Sequence, residues 1–171
     1  MHNDLELFNS FNMLTNKEKK FLERAIELSR EGMENGQGGP FGCVVVLEDK
    51  IVGEGNNQVT SSNDPTAHAE VVAIRNACAS LGTYQLTDCE IYTSCEPCPM
   101  CLGAIYWARP KRVVYANTRE DAAAIEFDDD FIYQEINASM EDRKIPFVHY
   151  PHPMAKDIFD QWKNWDDKKK Y

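Results

Sequence analysis

Residues 89–116 read CEIYTSCEPCPMCLGAIYWARPKRVVYA. The run at 89–94 predicts a strand. A helix from Pro97 or Cys98 to Trp107 follows, closed before Pro110, and 112–116 predicts a second strand. Upstream, TAHAEVVAIRNACASL (66–81) predicts another helix, with Gly82 as its stop. Val71, Val72, Ile74, Ala77 and Cys78 make it apolar on several sides, so it reads as buried. FGCVVVL (41–47) is a short β-branched run suited to a buried strand, with a turn at Asp49-Lys50 and residues 51–55 as its hairpin partner. Before it, a charged helix starts at Asn16, with Phe21, Ala25 and Leu28 in one stripe and Leu22, Ile26 and Met33 beside it. NGQGGP (35–40) ends that helix. Downstream come a helical stretch at 119–126, an acidic aromatic segment at 127–142 and a fifth strand at 145–150, near Pro146 and Pro151. A last helix covers 155–165, with a charged tail at 166–171. Strands alternating with buried helices imply a central sheet covered on both faces, a three-layer α/β/α sandwich.

The chain has 171 residues, about one domain. It reads as a leader at 1–15, in which Leu5, Phe8 and Phe11 form a short apolar element, and a single domain at 16–171. With 43% hydrophobic and 27% charged residues it falls among ordinary globular proteins. No apolar run approaches the roughly 20 residues that span a bilayer, and the first fifteen residues lack the pattern of a secretory signal. A cytoplasmic protein with no membrane partner is expected. The net charge is −10, from 28 acidic and 18 basic residues, which opposes a nucleic-acid partner because affinity for nucleic acid comes largely from cations on phosphate. Of six cysteines, Cys95, Cys98 and Cys101 cluster, whereas Cys43, Cys78 and Cys89 stand alone in apolar surroundings. The cluster reads as a metal or redox site and the others as buried small hydrophobes.

The chemistry concentrates in His68-Ala69-Glu70 and Pro97-Cys98-Pro99-Met100-Cys101, each at the expected start of a buried helix. Cys98 and Cys101, three residues apart, share a helix face in the first turn, where the dipole favours thiolates. Cys95 and Cys98 have the same spacing, but Pro97 at the first helical position would leave Cys95 outside. Two thiolates and one imidazole suit Zn2+ and leave a fourth tetrahedral position open, as in catalytic sites. Glu70 is placed to take a proton from water there.

H-x-E followed some thirty residues later by P-C-x-x-C is the signature of zinc-dependent deaminases. The chain resembles the cytidine deaminase-like superfamily of zinc hydrolases, and within it the bacterial guanine deaminases. The resemblance lies in GGPFG (38–42), NDPTAHAE (63–70), YTSCEPCPMCLGAIYWARPK (92–111), FDDDFIY (127–133) and the terminal KKY (169–171), and it covers most of residues 20–171. It implies a mixed five-stranded sheet between helices. It implies His68, Cys98 and Cys101 as zinc ligands and Glu70 as proton carrier. By the same resemblance Asn57 hydrogen-bonds the purine, Trp107 flanks the base, and Tyr171 helps close the site. Asp129, in a run with Asp128 and Asp130, handles a proton or binds the substrate amino group. The implied reaction is hydrolysis of guanine to xanthine and ammonia, a step of purine catabolism, by a homodimer whose C-terminal segments, residues 155–171, exchange.

The alternatives are the same chemistry on guanosine, cytosine or tRNA adenosine, a zinc-supported scaffold without catalysis, and a thiol oxidoreductase. Glu70 speaks against the scaffold, which needs four ligands and no base. The oxidoreductase predicts a reactive cysteine pair without tightly bound metal.

Overall fold

A computed structural model describes residues 14–127 and 129–171. Residues 1–13, with the leader residues Leu5, Phe8 and Phe11, and Asp128 lie outside the described residues. The chain divides into two units, the first ending at Asp128 and the second running from Asp129 to Tyr171.

The first described element of the first unit is α1 (Asn16–Glu34). Thr15 caps it: its hydroxyl accepts the Glu18 N–H at 3.3 Å, and Glu18 Oε2 accepts the Thr15 N–H at 2.6 Å. This reciprocal box satisfies two donors that lack helical partners. Ala25 and Leu28 are buried, as their stripe predicts. Ile26 and Met33, expected beside them, are exposed. Gly32 takes the inward position instead, where any Cβ would collide with the Asn56 side chain.

Strands β1 (Gly42–Leu47) and β2 (Lys50–Asn56) form the expected hairpin, with Leu47 opposite Lys50. Its turn is Glu48-Asp49 rather than Asp49-Lys50. Both turn residues have positive φ, 45° and 66°, the combination whose twist matches a two-residue hairpin. One helical turn, α2 (Val59–Ser62), lies where the sequence suggests only loop. Helix α3 (Ala69–Leu81) ends at Gly82, which adopts the left-handed φ of 64° expected of a glycine stop. Then come β3 (Glu90–Cys95), α4 (Pro99–Ala108), β4 (Arg112–Asn117) and α5 (Arg119–Ala123).

Among the described residues the sheet has four strands in the order β2-β1-β3-β4; β1 is antiparallel to β2 and β3, and β4 is parallel to β3. The expected fifth strand is not formed: residues 146–150 have no regular structure, and Val148 is 89% exposed. Pro146 and Pro151 explain this, because neither can donate to a ladder.

Alternation along the strands assigns the layers. Val44, Val46 and Tyr92 join Leu28 and the half-buried Phe21 and Leu22 of α1. On the opposite face Cys43, Val45 and Ile91 pack with Ala69, Ala73 and Ala77 of α3 and Ile105 and Ala108 of α4. The predicted three layers are present. Helix α3 lies directly on the strand backbone: a Cβ on Gly53 would stand 2.6 Å from Ala73 O, and one on Gly55 2.5 Å from Ala69 O. Helix α4 buries only one face. Leu102, Tyr106 and Trp107 are exposed, although the sequence predicts a buried helix here.

The second unit contains α6 (Asp130–Asn137) and α7 (Pro153–Lys163). Neither helix has a buried residue. No helix among the described residues is long and apolar enough to cross a membrane.

Candidate metal centre

Both helices that carry the chemistry start later than their sequences suggest. His68 is the N-cap of α3, with φ −69° and ψ 155°, and Cys98 the N-cap of α4, with φ −63° and ψ 167°. Pro99, not Pro97, occupies the first turn of α4. A proline disfavours helical backbone at the residue before it, so Cys98 is held extended. An N-cap side chain ordinarily accepts an N–H of its own helix. Neither His68 nor Cys98 does so; both point at the same spot instead.

His68 Nδ1 lies 3.5 Å from Cys98 Sγ and 3.6 Å from Cys101 Sγ, and the three atoms are all within 4.8 Å of one another. Tetrahedral zinc with ordinary Zn–S and Zn–N bonds sets the sulfur–nitrogen separation at about 3.6 Å. The donor set and its spacing therefore fit the ion. Cys95, the competing ligand in the sequence, is outside the cluster: its buried thiol is 3.5 Å from Thr118 O.

The thiols of Cys98 and Cys101 are electrostatically distinct. Cys98 is pushed below the ordinary thiol value, chiefly by the hydrogen bond from Cys101 and further by His68. Cys101 is pushed up by Cys98 first, then by burial and by Glu70. A cation between them favours both thiolates, as does the start of α4.

Glu70, in the first turn of α3, is only 6% exposed. Its Oε1 accepts from Thr93 Oγ1 at 3.2 Å and its Oε2 from Cys101 Sγ at 3.3 Å. Burial raises its pKa, partly offset by hydrogen bonds from backbone and from Cys101. A carboxylate raised in this way, beside a metal position, is equipped to take a proton and return it.

Asn57 follows β2 and is buried. Its Oδ1 accepts the Val59 N–H at 3.1 Å, its own N–H bonds Phe41 O at 3.0 Å, and a Cβ on Gly38 would strike its Oδ1. The amide nitrogen is thus the part of Asn57 able to meet a ligand acceptor. Neighbouring Asn56 is braced by Gln37 at 2.6 Å and by Gln58 at 3.3 Å.

Trp107 is on α4, off the face made by Cys101, Ile105 and Ala108, and is 63% exposed. Asp129 is the half-buried N-cap of α6, Asp130 begins that helix, and Tyr171 is exposed at the chain end; all three belong to the second unit. Sequence reasoning passed over two residues. Thr93 holds Glu70, and Phe127 meets Phe41 edge-on with ring centroids 5.0 Å apart. The available signal for Thr93 was a hydroxyl on the same strand face as Ile91, which packs toward α3.

Residues 15–117 match the cytidine and deoxycytidylate deaminase zinc-binding region. The chain is 58% identical over 151 residues to the guanine deaminase of Bacillus subtilis (strain 168), which spans 88% of this chain and 97% of that protein. The X-ray structure of guanine deaminase from Bacillus subtilis matches with a TM-score of 0.88 and 56% identity, over 92% of this chain and 99% of that one. A tRNA-specific adenosine deaminase of Buchnera aphidicola subsp. Schizaphis graminum is 38% identical over 109 residues, 64% of this chain and 72% of that protein. His68, Glu70, Cys98 and Cys101 all lie in the matched zinc-binding region, and zinc is the cofactor these findings support. The chain belongs to the cytidine and deoxycytidylate deaminase zinc-binding family.

Proposed function

We propose that the chain hydrolyses guanine to xanthine and ammonia. The likeness to a guanine deaminase over 97% of that protein's length carries this reading, because it runs well past the zinc-binding region. His68, Cys98 and Cys101 would hold the zinc, which when bound acts as a Lewis acid and makes water acidic enough to attack near neutral pH. Glu70 Oε2 receives the proton of that water, gives it to a ring nitrogen of the base and assists protonation of the departing amine. Asn57 orients the purine through its amide nitrogen, and Trp107 flanks the ring. Asp129 binds the substrate amino group or carries the second proton, and Tyr171 serves substrate binding.

The working protein is a cytoplasmic homodimer in purine breakdown, acting on a small molecule, with no nucleic-acid or membrane partner. Ile158 and Trp162, one helical turn apart on α7, and Trp165, which lies just past the end of that helix rather than inside the expected 155–165, support the dimer: they are 59%, 49% and 57% exposed in the single chain. Exchange of residues 155–171 between subunits would cover them. Deleting 155–171 should give monomers with weak activity; a truncated protein that stays dimeric and fully active overturns this part.

The likeness to tRNA-specific adenosine deaminases favours a second reading, the same chemistry on tRNA. The net charge of −10 opposes it. An ammonia-release screen over guanine, guanosine, adenine, cytosine and cytidine, with a tRNA substrate alongside, separates the two. Guanine is expected to be turned over fastest, and a protein inert on guanine would reject the proposal.

A further inference from the structure

We infer that Thr93 is a positioning residue for Glu70: its hydroxyl holds Oε1, so that Oε2 is the oxygen turned toward the metal ligands. The inference rests on the reading of Glu70 as the proton carrier. Strand β3 is central in the sheet and buried from Ile91 to Cys95, yet it carries the hydroxyls of Thr93 and Ser94. Buried hydroxyls cost stability unless partnered. Ser94 has a structural task, since its Oγ accepts the Gly42 N–H at 3.0 Å. Thr93, only 1% exposed, faces two acceptors, Glu70 Oε1 at 3.2 Å and Gly42 O at 3.4 Å.

A hydroxyl has a single hydrogen to give. The shorter contact and the charged acceptor both direct it to Glu70, because hydrogen bonds to ionised groups are the stronger ones. The β-branch of Thr93 restricts its χ1, and burial keeps it from turning to water. Cys101 Sγ marks where the other carboxylate oxygen points, 3.3 Å away. When the mobile proton sits on Oε2, Oε1 is still an acceptor for Thr93. The carboxyl plane thus stays fixed while Oε2 takes and returns its proton. Without that anchor the carboxylate can rotate away from the productive angle, and misplacement of about 1 Å can cost on the order of a hundredfold in rate.

The test uses the zinc-loaded enzyme with guanine. Thr93→Val keeps shape and removes the hydroxyl. It should lower kcat by about ten- to a hundredfold, leave KM within about threefold and leave the zinc content unchanged. Thr93→Ser should return kcat to within about threefold of wild type. In a Glu70→Gln background, Thr93→Val should change the residual rate by less than about threefold, since no proton carrier remains to be positioned. Full kcat in Thr93→Val, Thr93→Ser as slow as Thr93→Val, or an undiminished further loss in the Glu70→Gln background each overturns the inference. If Thr93→Val does not fold, Thr93→Ala against Thr93→Ser makes the same comparison, and equal rates overturn it. Glu70→Gln at wild-type speed would instead reject the role of Glu70 itself.

Discussion

Replacing Glu70 by glutamine keeps nearly every contact of the residue and removes its acid–base chemistry. The amide oxygen still accepts from Thr93, and the amide nitrogen falls where Oε2 stood, 3.3 Å from Cys101 Sγ, as a donor toward sulfur. No cavity opens, and a buried group whose charged form burial disfavours becomes permanently neutral. The melting temperature should therefore hold or rise, and zinc should remain at one ion per chain. What disappears is a group able to take and return a proton, and positioned general acids and bases contribute about 10²–10⁴-fold. At about 1.4 kcal/mol per tenfold, the loss is roughly 3–5 kcal/mol of barrier. It should appear in kcat, with KM nearly unchanged, because the carboxylate serves the water rather than the resting base. Steady-state ammonia release, calorimetric melting and elemental analysis on the same preparation separate these quantities. Turnover at a third of wild type, with zinc bound, would refute the reasoning and show that another group activates the water.

Protein purified without added metal should carry about one zinc per chain, and a strong chelator should abolish turnover and lower the melting temperature together; full activity at zero zinc by elemental analysis would remove the site. Glu18 is held down to about 2 by the Thr15 backbone first, then by the Thr15 hydroxyl and Arg112. Its folded value lies below the unfolded 4.5, so its stabilisation is complete above that pH and fades as pH falls toward 2. Urea unfolding should show wild type more stable than Glu18→Gln near neutrality, with the gap closing in acid; a gap independent of pH would contradict the assignment. Gly55→Ala places a Cβ 2.5 Å from Ala69 O and should cost about 1–3 kcal/mol, read as a fall in melting temperature, whereas an unchanged melt would mean that α3 does not lie so close to the sheet.

Strands β1 and β3 were legible because a short run of strand-forming residues is a local property. Residues 41–47 and 89–94 place β1 and β3 to within one residue at either end, and Gly82 marks the end of α3 unaided. The starts of α3 and α4 were placed too early, since the helical pattern does not itself say where backbone turns extended. Pro99 does say so for Cys98, but Pro97 offered a rival first position. The cluster of His68, Cys98 and Cys101 was legible because its three members sit in two short motifs whose spacing is chemical. Thr93 was not: only the packing of α3 on β3 brings its hydroxyl to Glu70, 23 residues away in sequence. The fifth strand failed because a hydrophobic stretch at 145–150 resembles a strand until its prolines are counted against the ladder. Ile158 and Trp162 of α7 follow helical spacing, yet that spacing names no partner.

His68 and Cys98 stand at two helix caps, 30 positions apart in the chain. An ion shared between them is a cross-link as well as a reagent. It ties off a loop nearly a fifth of the chain long, and chain-entropy arguments value such a closure at about 3.6 kcal/mol of lost freedom in the unfolded state. Neither helix has a side-chain cap of its own at these residues, so a metal held there would take over part of the work of starting them. If these residues hold the ion, its supply would set how much of this chain survives unfolding and proteolysis, before it sets how fast any survivor turns over.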